Sequence, residues 1–224
     1  MVAGRNWRNS LVKKVVIYVE GGGDSESLLS ECRKGFNKFL TNAGFEGKMP
    51  KIVACGSRNN AYDRFCSACK RKGDVLPFLL VDSECVVNND FQSDENYENW
   101  KPWEHLKNRK GDEWEKPLGA TENQCHLMVE CMEAWLISDV NALKSFYGQG
   151  FLDKDLKSVI DVEKISKEIL YERLKTATKN TKTKGEYGKG EHSFKLLQII
   201  NPNEVIQKSK WAKRFIDVLH NTVS

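Results

Sequence analysis

No apolar run in this 224-residue sequence is long enough to cross a bilayer. The longest, around Val15–Val19 and Leu76–Val81, fall far short of the roughly 20 residues that a membrane helix needs. The first residues lack both the apolar stretch and the small-residue cleavage site of a secretory signal, so the expectation is a cytoplasmic protein. A disulfide framework is also missing: there are seven cysteines, an odd number at irregular spacing. Cys66 and Cys69 form the lone CxxC pair. Zinc would want a second such pair, and Cys125 with Cys131 is too widely spaced for one. Cys66 and Cys69 fall in a helical pattern with Ala61, Tyr62 and Phe65, where small buried residues are ordinary. The glycine-rich stretch at 21–23 has neither the GxxxxGK[ST] of a P-loop nor the spacing of a dinucleotide fingerprint. No ATPase motif and no internal repeat is visible. What remains is an ordinary globular balance, 40% hydrophobic and 29% charged, with room for one domain and a helical extension.

The net charge of +4 says less than its distribution. From Asp82 to Glu98 the charged residues are all acids (Asp82, Glu84, Asp90, Asp94, Glu95 and Glu98). From Lys175 to Lys189 five lysines (Lys175, Lys179, Lys182, Lys184 and Lys189) face one acid, Glu186. An acidic centre beside a basic segment suits a metal-dependent enzyme acting on a polyanion. The lysines taken alone are equally compatible with a solvated surface.

The β-branched run Val15-Val16-Ile17-Tyr18-Val19 predicts a strand that stops at Glu20-Gly21-Gly22-Gly23-Asp24. From Ser25 the period changes: Leu28, Leu29, Cys32, Phe36, Phe39 and Leu40 mark one face of a helix, which Asp24 or Ser25 can cap and Gly44 and Gly47 close. Lys51–Cys55 reads as a second strand, 56–60 as a loop, and 61–69 as a short helix. Val75–Val81, apolar on both faces, predicts a central strand of a covered parallel sheet; it ends in Asp82-Ser83-Glu84. Residues 85–120 keep no period and read as a long insertion pinned by Trp100, Trp103 and Trp114. Cys125–Val129 followed by a helix from Met132, or one helix over 124–138, fit the periodicity equally well. Beyond Asp139 helices are expected at about 140–147, 162–178, 191–200 and 209–220, with a Gly- and Lys-rich loop between Thr178 and Gly190. The fold class is therefore α/β, a mostly parallel four-stranded sheet flanked by helices, over residues 1–138. A helical extension would follow over 139–224.

Ligands of such sheets gather at the carboxyl ends of the strands, where Glu20, Asp82 and Glu84 lie. Converging carboxylates raise one another's pKa values, and a hard cation such as Mg²⁺ or Mn²⁺ relieves that repulsion. The triple glycine Gly21-Gly22-Gly23 lets a phosphate approach Glu20, and the following helix start favours an anion. Arg58, after strand two, is a candidate phosphate contact or a plain surface arginine. Lys182, Lys184, Lys189 and His192 lie in or beside the basic loop, where Lys189 and His192 could meet a scissile phosphate. A lone histidine is more often structural. Glu130 alternates with Met128 and faces either the site or water.

A strand ending in Glu-Gly, then a helix, and later a strand ending in Asp-x-Asp is the signature of the Toprim domain of topoisomerases, primases and overcoming-lysogenisation-defect nucleases. Residues 13–138 resemble it. Glu20-x-x-x-Asp24 is similar to the ExxxD of the nuclease branch, and Asp82-Ser83-Glu84 stands in the DxD place with Glu for the second Asp. Met132-Glu133-Ala134-Trp135 resembles the Phe-Glu-x-Trp that opens the helix after strand four in small stand-alone relatives encoded beside ABC-type ATPases. The resemblance implies Glu20, Asp24, Asp82, Glu84 and Glu133 as Mg²⁺ or Mn²⁺ ligands. It also implies cleavage of DNA or RNA (tRNA among the targets), an ATPase partner and an anti-phage role. The Gly-Lys element of the nuclease branch matches Lys184-Gly185 or Lys189-Gly190 only loosely. A non-catalytic docking subunit of an ATPase and a small-molecule phosphohydrolase are the rival expectations; self-association into a homo-oligomer is left open.

Overall fold

The computed structural model describes residues 14–71, 73–93 and 96–223. Residues 1–13 of the expected α/β domain, and Asp94 and Glu95 of the acidic stretch, lie outside these. Four strands, β1 (Lys14–Gly22), β2 (Lys51–Gly56), β3 (Val75–Asp82) and β4 (Cys125–Met128), form one all-parallel sheet in the order β2-β1-β3-β4. Helix α1 (Glu26–Leu40) joins β1 to β2, and α2 (Arg58–Lys70) joins β2 to β3. Because β2 and β3 pair on opposite sides of β1, the strand order reverses beside β1, and a crevice opens there at the carboxyl ends.

Strand alternation divides the core between the two faces of the sheet. Val15, Ile17, Val19, Phe78 and Leu80 pack with Phe36 and Phe39 of α1. Leu79 and Val81 pack with Ala61 and Phe65 of α2. The first of these clusters continues without a break into the C-terminal half, through Trp135, Leu196 and Phe215. Trp135 stacks on Phe39 with ring centroids 5.2 Å apart. The second takes in Trp100, Trp103 and Trp114 of the insertion, with Trp114 stacked on Tyr62 at 4.4 Å. The tryptophans thus pin the aperiodic segment, as expected, Trp103 and Trp114 against α2 and Trp100 on Trp211, and around them it forms a further helix, α3 (Pro102–Asn108).

Several sequence expectations shift. Residues 125–138 are a strand followed by a short helix, α4 (Glu133–Ser138), not one helix. The stretch 56–60 is not a loop throughout, because the Ser57 hydroxyl accepts from the Asn60 N–H at 3.2 Å and starts α2 at Arg58. The region 140–223 carries α5 (Val140–Tyr147), α6 (Lys154–Lys157), α7 (Lys167–Thr178), α8 (Ser193–Leu197), α9 (Pro202–Lys208) and α10 (Lys210–Val223). Helix α7 begins later than 162 because Ser166 caps it through the Ile169 N–H. Helices α6 and α9, of four and seven residues, are too short to register in a periodicity. Among the described residues no helix is long and apolar enough to cross a membrane.

At the crevice the chain from β1 passes very close to the end of β2. Gly56 has φ +74°, and a Cβ there would stand 2.5 Å from the carbonyl oxygen of Gly23. Gly22 has φ +91°, and its Cβ would meet the Leu29 backbone at 2.8 Å. Gly56→Ala is expected to destabilise the fold by about 2 kcal/mol or more, read as a lower urea midpoint at unchanged m-value.

Candidate metal centre

The register of β1 on β3 pairs Val19 with Leu80, which sets Glu20 level with Val81 and one residue short of Asp82, near the carboxyl ends of the two strands. One carboxylate oxygen from each of Glu20, Asp82 and Glu84 lies within 4.8 Å of the others. The Asp82 backbone N–H donates to Glu20 Oε2 at 3.2 Å. Asp82 Oδ1 accepts from the Met132 N–H at 2.9 Å, which ties β3 to the start of α4. Glu84 is held in the left-handed region, φ +64°, a conformation uncommon for residues other than glycine. Its own N–H is fixed to the Glu130 carbonyl at 2.8 Å.

Two cations answer the three acids. Arg58 Nη1 donates to Glu20 Oε2 at 3.2 Å and to the Asp82 carbonyl at 2.9 Å, and lies 3.7 Å from Glu84 Oε1. The rest of its guanidinium is clamped by Asp112, Nε to Oδ1 at 2.9 Å and Nη2 to Oδ2 at 2.6 Å. This is the bidentate geometry that arginine favours. Asp112 comes from the insertion, has no exposed side-chain surface, and also pairs with Arg109 at 2.9 Å. On the other side Lys167 Nζ contacts Glu84 Oε2 at 2.5 Å, while the Lys167 backbone N–H donates to Glu130 Oε2 at 2.9 Å. Glu130 therefore faces the edge of the site and not water.

Burial lifts the Glu20 carboxyl above its usual range in spite of Arg58. Burial, then the charges of Glu20 and Glu133, hold Asp82 well above its own. Burial acts the same way on Glu84 but is outweighed by the hydrogen bond and charge of Lys167 together with Arg58, so Glu84 is shifted down. Two carboxylates that resist ionisation beside a third that is ionised, all offering oxygen donors, fit a hard divalent cation, because its charge removes the penalty on ionised Glu20 and Asp82.

Next to the carboxylates is a cavity of about 310 Å³, walled by Gly22, Leu28 and Phe194, with Asp82 and Glu133 lining it and Lys189 among the surrounding residues. Glu133 lines this cavity but is not one of the three converging acids. Buried at 1% exposure, it accepts through Oε1 from the Tyr187 hydroxyl at 2.9 Å. Asp24 is exposed on the β1–α1 turn and outside the three-acid group; the cap of α1 is Ser25. His192 is not at the cavity. Its ring is buried, and Nδ1 accepts from the Gly188 N–H at 3.2 Å and lies 3.1 Å from the Tyr147 hydroxyl, so the structural role of a lone histidine is the one observed. Lys182 and Lys184 are exposed away from the cavity lining, with Lys184 over the Phe146 ring. Lys189 alone of these lysines lines it, its ammonium 5.5 Å from the Tyr171 ring centroid. Arg58 lies in the first turn of α2 and is committed to the carboxylates, not free for a phosphate at the surface.

A family model described as a domain of unknown function, DUF4276, matches residues 19–220. The chain belongs to the DUF4276 family. The matched span opens in β1 just before Glu20 and closes in α10, so it takes in every acid and cation described above. No curated protein and no solved structure gives a significant match.

Lys167 and Asp112 are not marked in the sequence. Lys167 meets a residue 83 positions away, and Asp112 lies in a segment without period, so neither carries a local signal. Asp112→Ala is expected to lower stability by about 1–3 kcal/mol in denaturant unfolding, because it removes both oxygens that clamp a largely buried guanidinium. The raised carboxyls give a pH prediction. Glu20 and Asp82 bind protons more tightly folded than unfolded, so their stabilising contribution is present at acid pH and is lost as pH rises through their raised values. Asp82→Asn, which keeps an amide oxygen for the Met132 N–H, should make the metal-free protein more stable than wild type at pH 8, the difference closing toward pH 4. A variant less stable than wild type across that range would contradict the assignment.

Proposed function

We propose that the protein is a metal-dependent nuclease that hydrolyses phosphodiesters of DNA or RNA. The observation that carries this reading is the convergence of Glu20, Asp82 and Glu84 at the carboxyl ends of the two central strands, beside a cavity with a lysine among its lining residues. Glu20, Asp82 and Glu84 would hold Mg²⁺ or Mn²⁺, with Glu133 lining the cavity beyond them. When bound, such an ion supplies Lewis acidity toward a phosphoryl oxygen and a water of lowered pKa.

The protein's own groups do the rest. The backbone from Gly21 to Gly23 presents no side chain, so a phosphate can come close to Glu20. Lys189, exposed at the cavity, offers an ammonium to a non-bridging oxygen. Arg58 is fixed by Asp112 before any substrate arrives and keeps positive charge beside the reacting region without reorganisation. Leu28 and Phe194 give the cavity an apolar wall that narrows the access of water. The Toprim resemblance of the Glu20 turn and the Asp82-Ser83-Glu84 strand end supports the same reading, and extends it to an ABC-type ATPase partner and a role as a toxic effector in anti-phage defence. A rival has one specific observation in its favour: Arg58 and Lys167 already neutralise the acids, as in a purely structural ion-pair network. In that case the protein is a docking subunit of the ATPase.

Purified protein with Mg²⁺ or Mn²⁺ should cut at least one of plasmid DNA, single-stranded DNA and total tRNA, with or without the ATPase. Glu20→Ala and Asp82→Ala should each lose roughly a hundredfold or more of that rate. If the wild type cuts none of the three under either condition while both variants still assemble with the ATPase, the docking reading holds.

A further inference from the structure

The two cations of the site are not equivalent. Arg58 is held from three directions, by both oxygens of Asp112, by Glu20 and by the Asp82 carbonyl, and leaving would break every one of these bonds. Lys167 is held differently. Its backbone is anchored by the Glu130 carboxylate and by its place at the first position of α7 behind the Ser166 cap. Among the described residues its ammonium hydrogen-bonds to Glu84. The side chain is 20% exposed, and its four-carbon stem can rotate into solvent without disturbing the helix. One cation of the cluster is therefore built in, and the other is removable.

We infer that the Lys167 ammonium is the exchangeable counter-ion of the Glu20–Asp82–Glu84 cluster, occupying Glu84 until a divalent cation displaces it. This rests on the metal-site reading above and assigns Lys167 as a positioning residue that sets the affinity of that site. Exchange explains how three acids are tolerated in the metal-free fold. It also makes metal uptake a competition: a divalent ion gains Glu84 only as Lys167 gives it up. Removing the ammonium leaves the acids under-compensated, which weakens the metal-free fold and strengthens its hold on a cation.

The test is calorimetric titration of Mn²⁺ into wild type, Lys167→Met and Lys167→Arg, with the thermal midpoint of each recorded with and without Mn²⁺. Lys167→Met should bind Mn²⁺ about tenfold or more tightly than wild type, melt lower without Mn²⁺, and show the larger rise in midpoint on adding it. Lys167→Arg should return toward wild type in all three readouts. Tighter binding by Lys167→Met when the wild type shows none would support the exchange most strongly, as would a Lys167→Met chain that folds only with Mn²⁺. Wild-type binding that Lys167→Met leaves equal or weaker overturns the exchange and leaves the metal site standing. Absence of binding in all three proteins overturns both readings. A Lys167→Met chain that stays unfolded with and without Mn²⁺ overturns the exchange.

Discussion

Repulsion among Glu20, Asp82 and Glu84 is the constraint around which this end of the molecule is organised. Three carboxylates with oxygens within 4.8 Å, one of them only 5% exposed, are unfavourable in a folded chain unless positive charge is brought to them. The fold brings it from far apart in the sequence. Arg58 arrives because Ser57 starts α2 immediately after β2, and Lys167 because Ser166 starts α7. Asp112 arrives because Trp103 and Trp114 fasten the insertion against α2. The insertion is therefore not an ornament of the sheet: it supplies the carboxylate that holds Arg58 still, and Trp114 beside it lies 5.0 Å under the same guanidinium. The C-terminal half is likewise part of the site: α7 supplies Lys167, and the loop between α7 and α8 supplies Lys189 and the Tyr187 hydroxyl that holds Glu133.

The sheet and the three acids were legible in the sequence because both depend on short-range signals. A β-branched run that stops at Glu20-Gly21, and an apolar run that stops at Asp82, give strand ends directly, and the parallel sheet follows from the helices between them. The compensating charges were not legible. Lys167 and Asp112 owe their roles to tertiary placement across 83 and 54 positions, and nothing in their neighbours distinguishes them from solvated charge. Arg58, just after strand two, reads in the sequence as a phosphate contact or a plain surface arginine, since sequence cannot reveal that Asp112 and Glu20 already claim its donors. His192 reads in the sequence as a lone histidine in a basic loop; the Gly188 N–H and the Tyr147 hydroxyl, which hold it, come from the loop's own turn and from α5. Asp24 stood at a motif position, yet the turn of three glycines carries it out to solvent.

Membership of the DUF4276 family covers the whole of this arrangement but brings no chemistry with it, so the functional reading stands on the site. The same acids serve two accounts that differ in what the cluster is for. In one, the carboxylates are a metal centre whose counter-ions manage the metal-free state. In the other, acids and cations together are a closed ion-pair network that fastens α2, α7 and the insertion to the sheet. The convergence of one oxygen from each of the three acids within 4.8 Å, beside a cavity, favours the first.

The most direct measurement is the anomalous difference map of crystals soaked in Mn²⁺. The account predicts a single strong peak among the carboxylates of Glu20, Asp82 and Glu84, with Arg58 still on Asp112 and the Lys167 side chain turned away from Glu84. A map with no peak there, and with both cations still seated on the acids, would contradict it.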